Sequence, residues 1–305
     1  LFGLDRSTRA HHISGLVIPF ALVLHPVLIT LYHAGRKGIS FTAQLGVMMG
    51  REDLPAAAAG AFLVLAAVVM SLPAARRRFS YEVWHASHLL LYAGLGLAVG
   101  HQLELGADIN GNLYFARTWH ALYVFALANL LWGRVLKPLW LYRRHGFTVE
   151  KIIPETTEVE SIWITGRGLD ALPAEAGQFA LLRFWAPGFK TQSHPFSISR
   201  MPDGKYLRFS IKKLGDFTAE VHHSLKPGTP VLIDGPHGAF TEQKCFGDKA
   251  LLIAGGIGIT PVRSLAERLQ SLGKDCVLLT ANCSQKDIVF RRELAELEER
   301  GGFAV

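Results

Sequence analysis

The chain has 305 residues, half of them hydrophobic, and a formal net charge of +7. That length accommodates two or three domains, and the hydrophobic share is high for a fold surrounded by water on all sides. The basic residues gather at the ends of apolar runs rather than along one polar face, which argues against nucleic-acid binding.

Four runs approach the ~20 residues needed to cross a bilayer core: 13–32, 55–75, 83–103 and, shorter and more amphipathic, 118–132. The first three hold no Asp, Glu, Lys or Arg, so a buried helix of a water-soluble core is a poor account of them. Residues 1–144 therefore read as an α-helical transmembrane bundle in contact with the lipid bilayer.

The first run and its approach carry His11 and His25, 14 residues apart; the third carries His88 and His101, 13 apart. Imidazoles are costly inside a membrane and mark functional sites there. With a rise of ~1.5 Å per residue, the members of each pair lie ~20 Å apart along their helix. Two such helices side by side offer two stacked His–His pairs, each able to give a haem iron an imidazole on both axial sides. His12 competes with His11 as the inner residue; His11 is favoured because a 14-residue spacing returns to within ~40° of one face. A 13-residue spacing lands ~140° away, so the helix between His88 and His101 is expected to kink or to carry a π-bulge. His33, His85 and His120 read as interfacial contacts, as partners of haem propionates, or as contacts to an outer substrate.

Orientation follows from Lys and Arg. One side collects Arg6, Arg9, Arg76, Arg77, Arg78, Arg134, Lys137, Arg143 and Arg144. The other has Arg36, Lys37, Arg51 and Arg117, diluted by Glu52, Asp53, Glu104 and Asp108. The first side is expected to be cytoplasmic. The first and third helices then run parallel, with His11 beside His88 on the inner side and His25 beside His101 on the outer side.

Near Phe147 the composition changes. Residues 159–164, 207–212 and 231–233 read as strands, with turns at Pro202-Asp203-Gly204 and Pro227-Gly228, which suggests a small antiparallel β-barrel over 145–246. Residues 247–305 alternate strand, helix, strand, helix, as in a parallel α/β domain. Its first strand, 250–254, runs into Gly255-Gly256-Ile257-Gly258-Ile259-Thr260-Pro261. Glycines there let backbone approach a pyrophosphate at a helix N-terminus, with the Thr260 hydroxyl beside it. The adenosine end should lie near Asn282, Cys283 and Ser284, but no acid for a ribose hydroxyl and no clamp for a 2′-phosphate stands out. Cys245, Cys276 and Cys283 have no CxxC spacing, so reduced thiols in a reducing compartment are expected, not a disulfide framework or a 2Fe–2S centre.

The stretch His194-Pro195-Phe196-Ser197-Ile198-Ser199 resembles the flavin-contacting motif of the NADPH oxidase and ferric reductase superfamily. Three more motifs follow in that family's order: Lys212 to Thr218, with Lys212 where Arg is usual; Asp234-Gly235-Pro236-His237-Gly238; and the glycine-rich loop from Ala254 to Pro261. The resemblance, to a bacterial member, implies a membrane flavocytochrome b of three parts: haem-binding helices, an FAD-binding barrel and an incomplete NAD(P)-binding domain. It implies that His194, Pro195, Phe196, Ser197 and Ser199 contact the flavin. Lys212, Gly215 and Thr218 would take the FAD pyrophosphate; Lys in place of Arg keeps the charge but loses the bidentate fork. Gly255, Gly256, Gly258, Thr260 and Pro261 would take NAD(P)H. His11, His25, His88 and His101 would hold two b haems. Where relatives place an aromatic between the haems, this chain has Gly94; Tyr92 or Phe20 would fill the gap, or electrons cross without a relay. The family's C-terminal Cys–Gly motif and its flavin-side aromatic are absent from this sequence.

The implied function moves electrons from cytoplasmic NAD(P)H through FAD and both haems to an acceptor outside, oxygen in the first reading, with superoxide as product. A ferric-chelate reductase is the alternative enzyme; a haem electron carrier serving a partner protein is the alternative of another class. No catalytic side chain is assigned, and a homo-oligomer or accessory subunit is compatible with the sequence. Starting at Leu1 and stopping where a further strand begins, the sequence reads as a fragment at both ends.

Overall fold

The computed structural model describes residues 3–105, 111–189 and 192–305. Asp108, counted above among the outer charges, lies outside these residues, as do the side chains of Arg6 and Glu104. The chain divides into two compact units, Leu1–Leu127 and Ala128–Val305.

The first unit is helical: α1 (Gly3–Lys37), α2 (Phe41–Met49), α3 (Leu54–Ser71), α4 (Pro73–Arg76), α5 (Tyr81–Leu97), α6 (Val99–Leu105) and α7 (Leu113–Leu131), which continues past its end. Among the described residues, four helical stretches are long and apolar enough to cross a membrane: Ser7–Lys37, Leu54–Ser71, Val83–Leu103 and Leu113–His145. Their apolar side chains face outward; Leu16, Phe20, Phe62 and Phe125 are each about 70% exposed. A water-soluble unit would bury such residues, so the surrounding medium must be apolar.

The short helix α2 was not foreseen. Ser40 starts it by accepting from the Ala43 amide at 3.2 Å. Its buried Gln44 accepts from Lys37 Nζ at the end of α1, 3.2 Å away.

Helices α3 and α5 cross at two glycines. A Cβ on Gly60 would stand 2.5 Å from the Gly94 carbonyl oxygen, and one on Gly94 would stand 2.8 Å from the Gly60 carbonyl oxygen. Only bare backbone fits both sides of this crossing. An aromatic at position 94 is sterically impossible in this crossing. The alternatives Phe20 and Tyr92 are 70% and 50% exposed.

The expected distortion of the third span is present as a one-residue break, with no π-bulge. α5 stops at Leu97, Ala98 forms a turn, and α6 resumes at Val99. The Ala98 amide divides its bond between the Gly94 and Leu95 carbonyls, each at 3.2 Å. A five-residue π segment does occur, but at Trp132–Leu136, between α7 and α8 (Lys137–His145).

In the second unit, α8 ends on Gly146 in the left-handed conformation and the chain turns into sheet. β1 (Thr148–Thr156), β2 (Val159–Thr165) and β5 (Tyr206–Lys212) form one antiparallel sheet; β4 (His194–Ser197), β3 (Phe179–Phe184) and β6 (Val231–His237) form another. Alternate residues of β3 are buried, as a half-buried strand requires, and Phe147, Ile162, Leu182, Phe184, Phe209 and Ile233 fill the space between the sheets.

The expected barrel is corrected on this point: among the described residues the sheets do not close. Backbone joins them at two short places, around the Thr148–Pro230 bridge, where Val231 bonds Phe147 and Val149 bonds Thr229, and around the Ile198–Phe209 bridge, where Ser199 bonds Arg208. β4 has four residues, one of them a proline without an amide donor, so it cannot extend a ladder along β5.

The remainder is parallel α/β, as expected. β7 (Lys249–Gly255), β8 (Asp275–Ala281) and β9 (Phe303–Ala304) form a parallel sheet. The amphipathic helices α10 (Ile259–Ser271) and α11 (Arg291–Glu299) pack on it, and α9 (Asp216–Ser224) belongs to the antiparallel part. Arg208 on β5 reaches Glu293 on α11, which also pairs with Arg263 on α10; Arg263 in turn pairs with Glu267, whose carboxylate accepts from the Met201 amide.

Candidate functional site

Two pairs of imidazoles meet inside the apolar helices. The rings of His11 and His88 have centroids 6.0 Å apart, and those of His25 and His101 6.1 Å apart. The lower-numbered members pair together and so do the higher, which makes α1 and α5–α6 parallel. The turn at Ala98 lies between His88 and His101, and both rings meet a ring on α1. His12 is exposed and outside both pairs. His120 Nδ1 donates to the Ala116 carbonyl of its own helix, 2.7 Å away, and His33 lies edge-on against Tyr32.

The spacing has a chemical meaning. A metal bound by one imidazole nitrogen on each side, at about 2 Å, sets the ring centroids about 6 Å apart. The buried Nδ1 of His101 has no hydrogen-bond partner. No group of three or more His, Cys, Asp or Glu able to hold a bare metal ion occurs among the described residues. The donor set thus fits an iron that brings four equatorial ligands of its own, as in a porphyrin.

His88 differs from His101 in its surroundings. Its Nδ1 is 3.2 Å from Ser71 Oγ; that hydroxyl donates to the Ala67 carbonyl at 2.8 Å and accepts from Trp84 Nε1 at 3.2 Å. Trp84 also lies against the His88 ring, 5.2 Å between centroids, under the Arg76 guanidinium. Nothing in the sequence pattern signalled Ser71, which lies within the apolar run 55–75.

In the second unit, β4 presents the flavin motif. Pro195 is exposed, and His194, Phe196 and Ser197 are half-buried at the sheet edge. The His194 ring stacks on Phe217 with centroids 3.9 Å apart, and Phe196 lies in the same aromatic group. Phe217, in the first turn of α9, was part of a matched motif but was not singled out. Ser199 is fully buried. Its hydroxyl meets Ser210 Oγ at 2.8 Å and accepts from Arg208 Nε at 3.1 Å. These partners take up its hydrogen-bonding capacity.

Lys212 ends β5. After it, Thr218 Oγ1 accepts from the amides of Leu214 and Gly215 at 2.8 and 3.0 Å, which folds the loop back over the start of α9. At the end of β6, Gly235 needs its bare backbone, since a Cβ would stand 2.8 Å from that of Ala180. Asp234 there is surrounded by cations. Burial alone would raise its carboxyl, but the hydrogen bond from His237 and the charges of His237, Lys137 and Arg134 hold it below the usual carboxylate range.

The glycine-rich loop opens on space. A Cβ at Gly255, Gly256 or Gly258 would meet nothing within 4 Å, and Gly256 has φ +49°. Thr260 is buried, with its hydroxyl bonded to the Ile257 carbonyl at 3.0 Å. Pro261 sits in the first turn of α10, where a missing amide hydrogen costs nothing. Beside the loop is a cleft of about 320 Å³ that combines Thr156, Glu158 and Lys212 of the antiparallel part with Gly256, Asn282 and Cys283 of the α/β part. Sequence-assigned residues of two separate motifs, Lys212 and Gly256, therefore line one cleft.

Known proteins match all three parts. Residues 1–99 match the family model of the ferric reductase like transmembrane component, residues 155–241 an FAD-binding domain and residues 252–302 an oxidoreductase NAD-binding domain. A flavohemoprotein of Candida albicans is 31% identical over 162 residues, covering 51% of this chain and 41% of that protein. The glycine betaine monooxygenase reductase subunit of Pseudomonas aeruginosa is 30% identical over 166 residues, covering 53% and 45%. The chain thus spans less than half the length of these relatives. Among solved structures, the FAD/NAD-binding domain of nitric oxide dioxygenase from Vibrio cholerae aligns with a TM-score of 0.47 and 24% identity, covering 52% of this chain and 70% of that one.

Proposed function

We propose that this chain, an integral membrane oxidoreductase with the three-part architecture of the NADPH oxidase and ferric reductase superfamily, carries electrons from NAD(P)H across the bilayer to an acceptor on the far side. The observation that supports this most directly is the pair of facing imidazoles at each level of the helical unit, 6.0 and 6.1 Å apart, on a chain that continues into FAD- and NAD-binding domains. When bound, FAD would divide the hydride of NAD(P)H into single electrons, and two b haems would pass them on.

The residues of the chain bind and place these groups. His194, Pro195, Phe196 and Ser197 offer an aromatic and polar edge to the flavin ring. Lys212 and the Gly215–Thr218 turn offer charge and backbone donors to its pyrophosphate. Gly255, Gly256 and Gly258 let the nicotinamide dinucleotide lie on bare backbone at the start of α10. His11 with His88, and His25 with His101, would hold the two irons between them, so an acceptor would take its electron by approaching the outer haem rather than by binding its metal. Oxygen is small enough to do so and takes one electron to become superoxide; a ferric chelate taking the same electron is the alternative outcome. The Lys and Arg distribution supports a cytoplasmic side for the flavin and nucleotide domains.

The test uses the full-length protein in detergent. NAD(P)H consumption is followed with oxygen and then with a ferric chelate, with and without superoxide dismutase, alongside the reduced-minus-oxidised spectrum. Two b-type haems per chain and NAD(P)H-dependent superoxide are expected. A protein purified with its haem-binding helices intact but without b-type absorbance would falsify the reading.

A further inference from the structure

The two imidazole pairs differ in one respect that the sequence does not announce. His88 is buttressed and its counterpart at the other level, His101, has a bare Nδ1. A serine hydroxyl has one hydrogen and two lone pairs. At Ser71 the hydrogen goes to the Ala67 carbonyl, 2.8 Å away, and one lone pair accepts from Trp84 Nε1. The contact to His88 Nδ1 at 3.2 Å can then form only if that nitrogen carries the hydrogen. Nε2 is left as the nitrogen with a free lone pair.

We propose that Ser71 is a positioning residue that fixes His88 in its Nδ1–H tautomer and makes it the stronger electron donor of the two α5–α6 imidazoles, so that the inner iron would have the lower potential. The proposal rests on the haem reading above. A ligating histidine that donates its second N–H is held in orientation and becomes a stronger donor, which favours the ferric over the ferrous ion. An inner site of lower potential lets electrons move outward downhill. Trp84 limits the effect, because its indole draws on the same oxygen that His88 uses.

The experiment is a reductive titration of the full chain in detergent, followed at the b-type absorption bands. Two components are expected in the natural protein. Ser71→Ala should raise the midpoint of the lower one and leave the other in place. Loss of such a partner typically changes affinity by at least tenfold, and a tenfold change in ferric-over-ferrous preference is about 59 mV for one electron. The shift should persist in a His25→Leu background, where the outer pair is broken, and Ser71→Thr should keep the natural midpoint. Both midpoints unchanged, both moved together, or a downward shift overturns the proposal. If Ser71→Ala does not accumulate, Trp84→Phe decides: freeing the serine oxygen should lower the same midpoint, and no shift or a rise overturns the proposal. A natural protein without two b-type components refutes the haem reading instead, and is told apart because it fails before any substitution is made.

Discussion

The glycine crossing of α3 and α5 gives a prediction whose size can be worked from distances. An ordinary Cβ contact begins near 3.4 Å, whereas a methyl on Gly60 would sit 2.5 Å from the Gly94 carbonyl oxygen. Relief requires the helices to separate by 0.9 Å, and by 0.6 Å for a methyl on Gly94, whose close contact is at 2.8 Å. The clashing atoms are backbone on both helices, so no side chain can rotate away. Overpacking of this kind costs about 1–3 kcal/mol. The same movement pulls Ser71 on α3 from His88 on α5, a contact already at 3.2 Å. Gly60→Ala should therefore lower the thermal midpoint in detergent and the haem content, with Gly94→Ala doing so less. Gly46→Ala in α2 is the control: its methyl meets nothing within 4 Å, and replacing a helical glycine by alanine favours the helix by roughly 0.5–1 kcal/mol. If Gly60→Ala melts and binds haem like the natural protein, or if Gly46→Ala is the more damaging, the close approach of these helices does not constrain the site.

Two further outcomes concern the second unit. Burial alone would raise the Glu293 carboxyl, but the hydrogen bond from Arg208 and the charges of Arg263, Arg208 and Arg200 hold it below the ordinary range. Its stabilising contribution is thus complete above the unfolded carboxylate value of about 4.3 and is lost as pH falls through the depressed folded value. Glu293→Gln should cost up to about 3 kcal/mol at neutral pH, the low end for breaking a buried pair because the side chain keeps 28% exposure; it should also flatten the acid limb of a stability-against-pH curve, and an unchanged acid limb would count against the network. Gly256→Val places a branched side chain at φ +49° and into the cleft. A branched side chain standing where the dinucleotide would lie should raise the apparent KM for NAD(P)H by about tenfold, the factor that about 1.4 kcal/mol of lost binding gives, while the flavin spectrum stays natural, and a normal KM would remove the loop from the nucleotide site.

Much of this was legible because it rests on period and spacing. Long uncharged runs became the membrane helices, and residues 250–254 and 276–281 became the parallel strands. The 13-residue spacing of His88 and His101 forced a departure from ideal helix before any coordinates were considered, although its form, a broken turn rather than a bulge, depends on how Ala98 shares its amide bond. What sequence did not show is what depends on a partner far along the chain. Ser71 matters because α3 lies against α5. Gly94 is glycine because Gly60 opposes it. Ser199 sits within a flavin motif, yet the burial of β5 ties it to Ser210 and Arg208. Closure of a barrel likewise depends on strand length at one edge, and β4 is too short to supply it.

The interruption at Ala98 has a mechanical consequence. A continuous helix transmits bending and torsion along its whole length, so disturbing one end disturbs the other. At Ala98 the third span leaves regular helix for one residue, yet the Ala98 amide still bonds the Gly94 carbonyl and the Ala98 carbonyl accepts from the Gln102 amide. His88 rides on α5, which packs against α3, and His101 on the short α6. The turn thus bends the course of the span without cutting the hydrogen-bonded rod that joins the two imidazole levels.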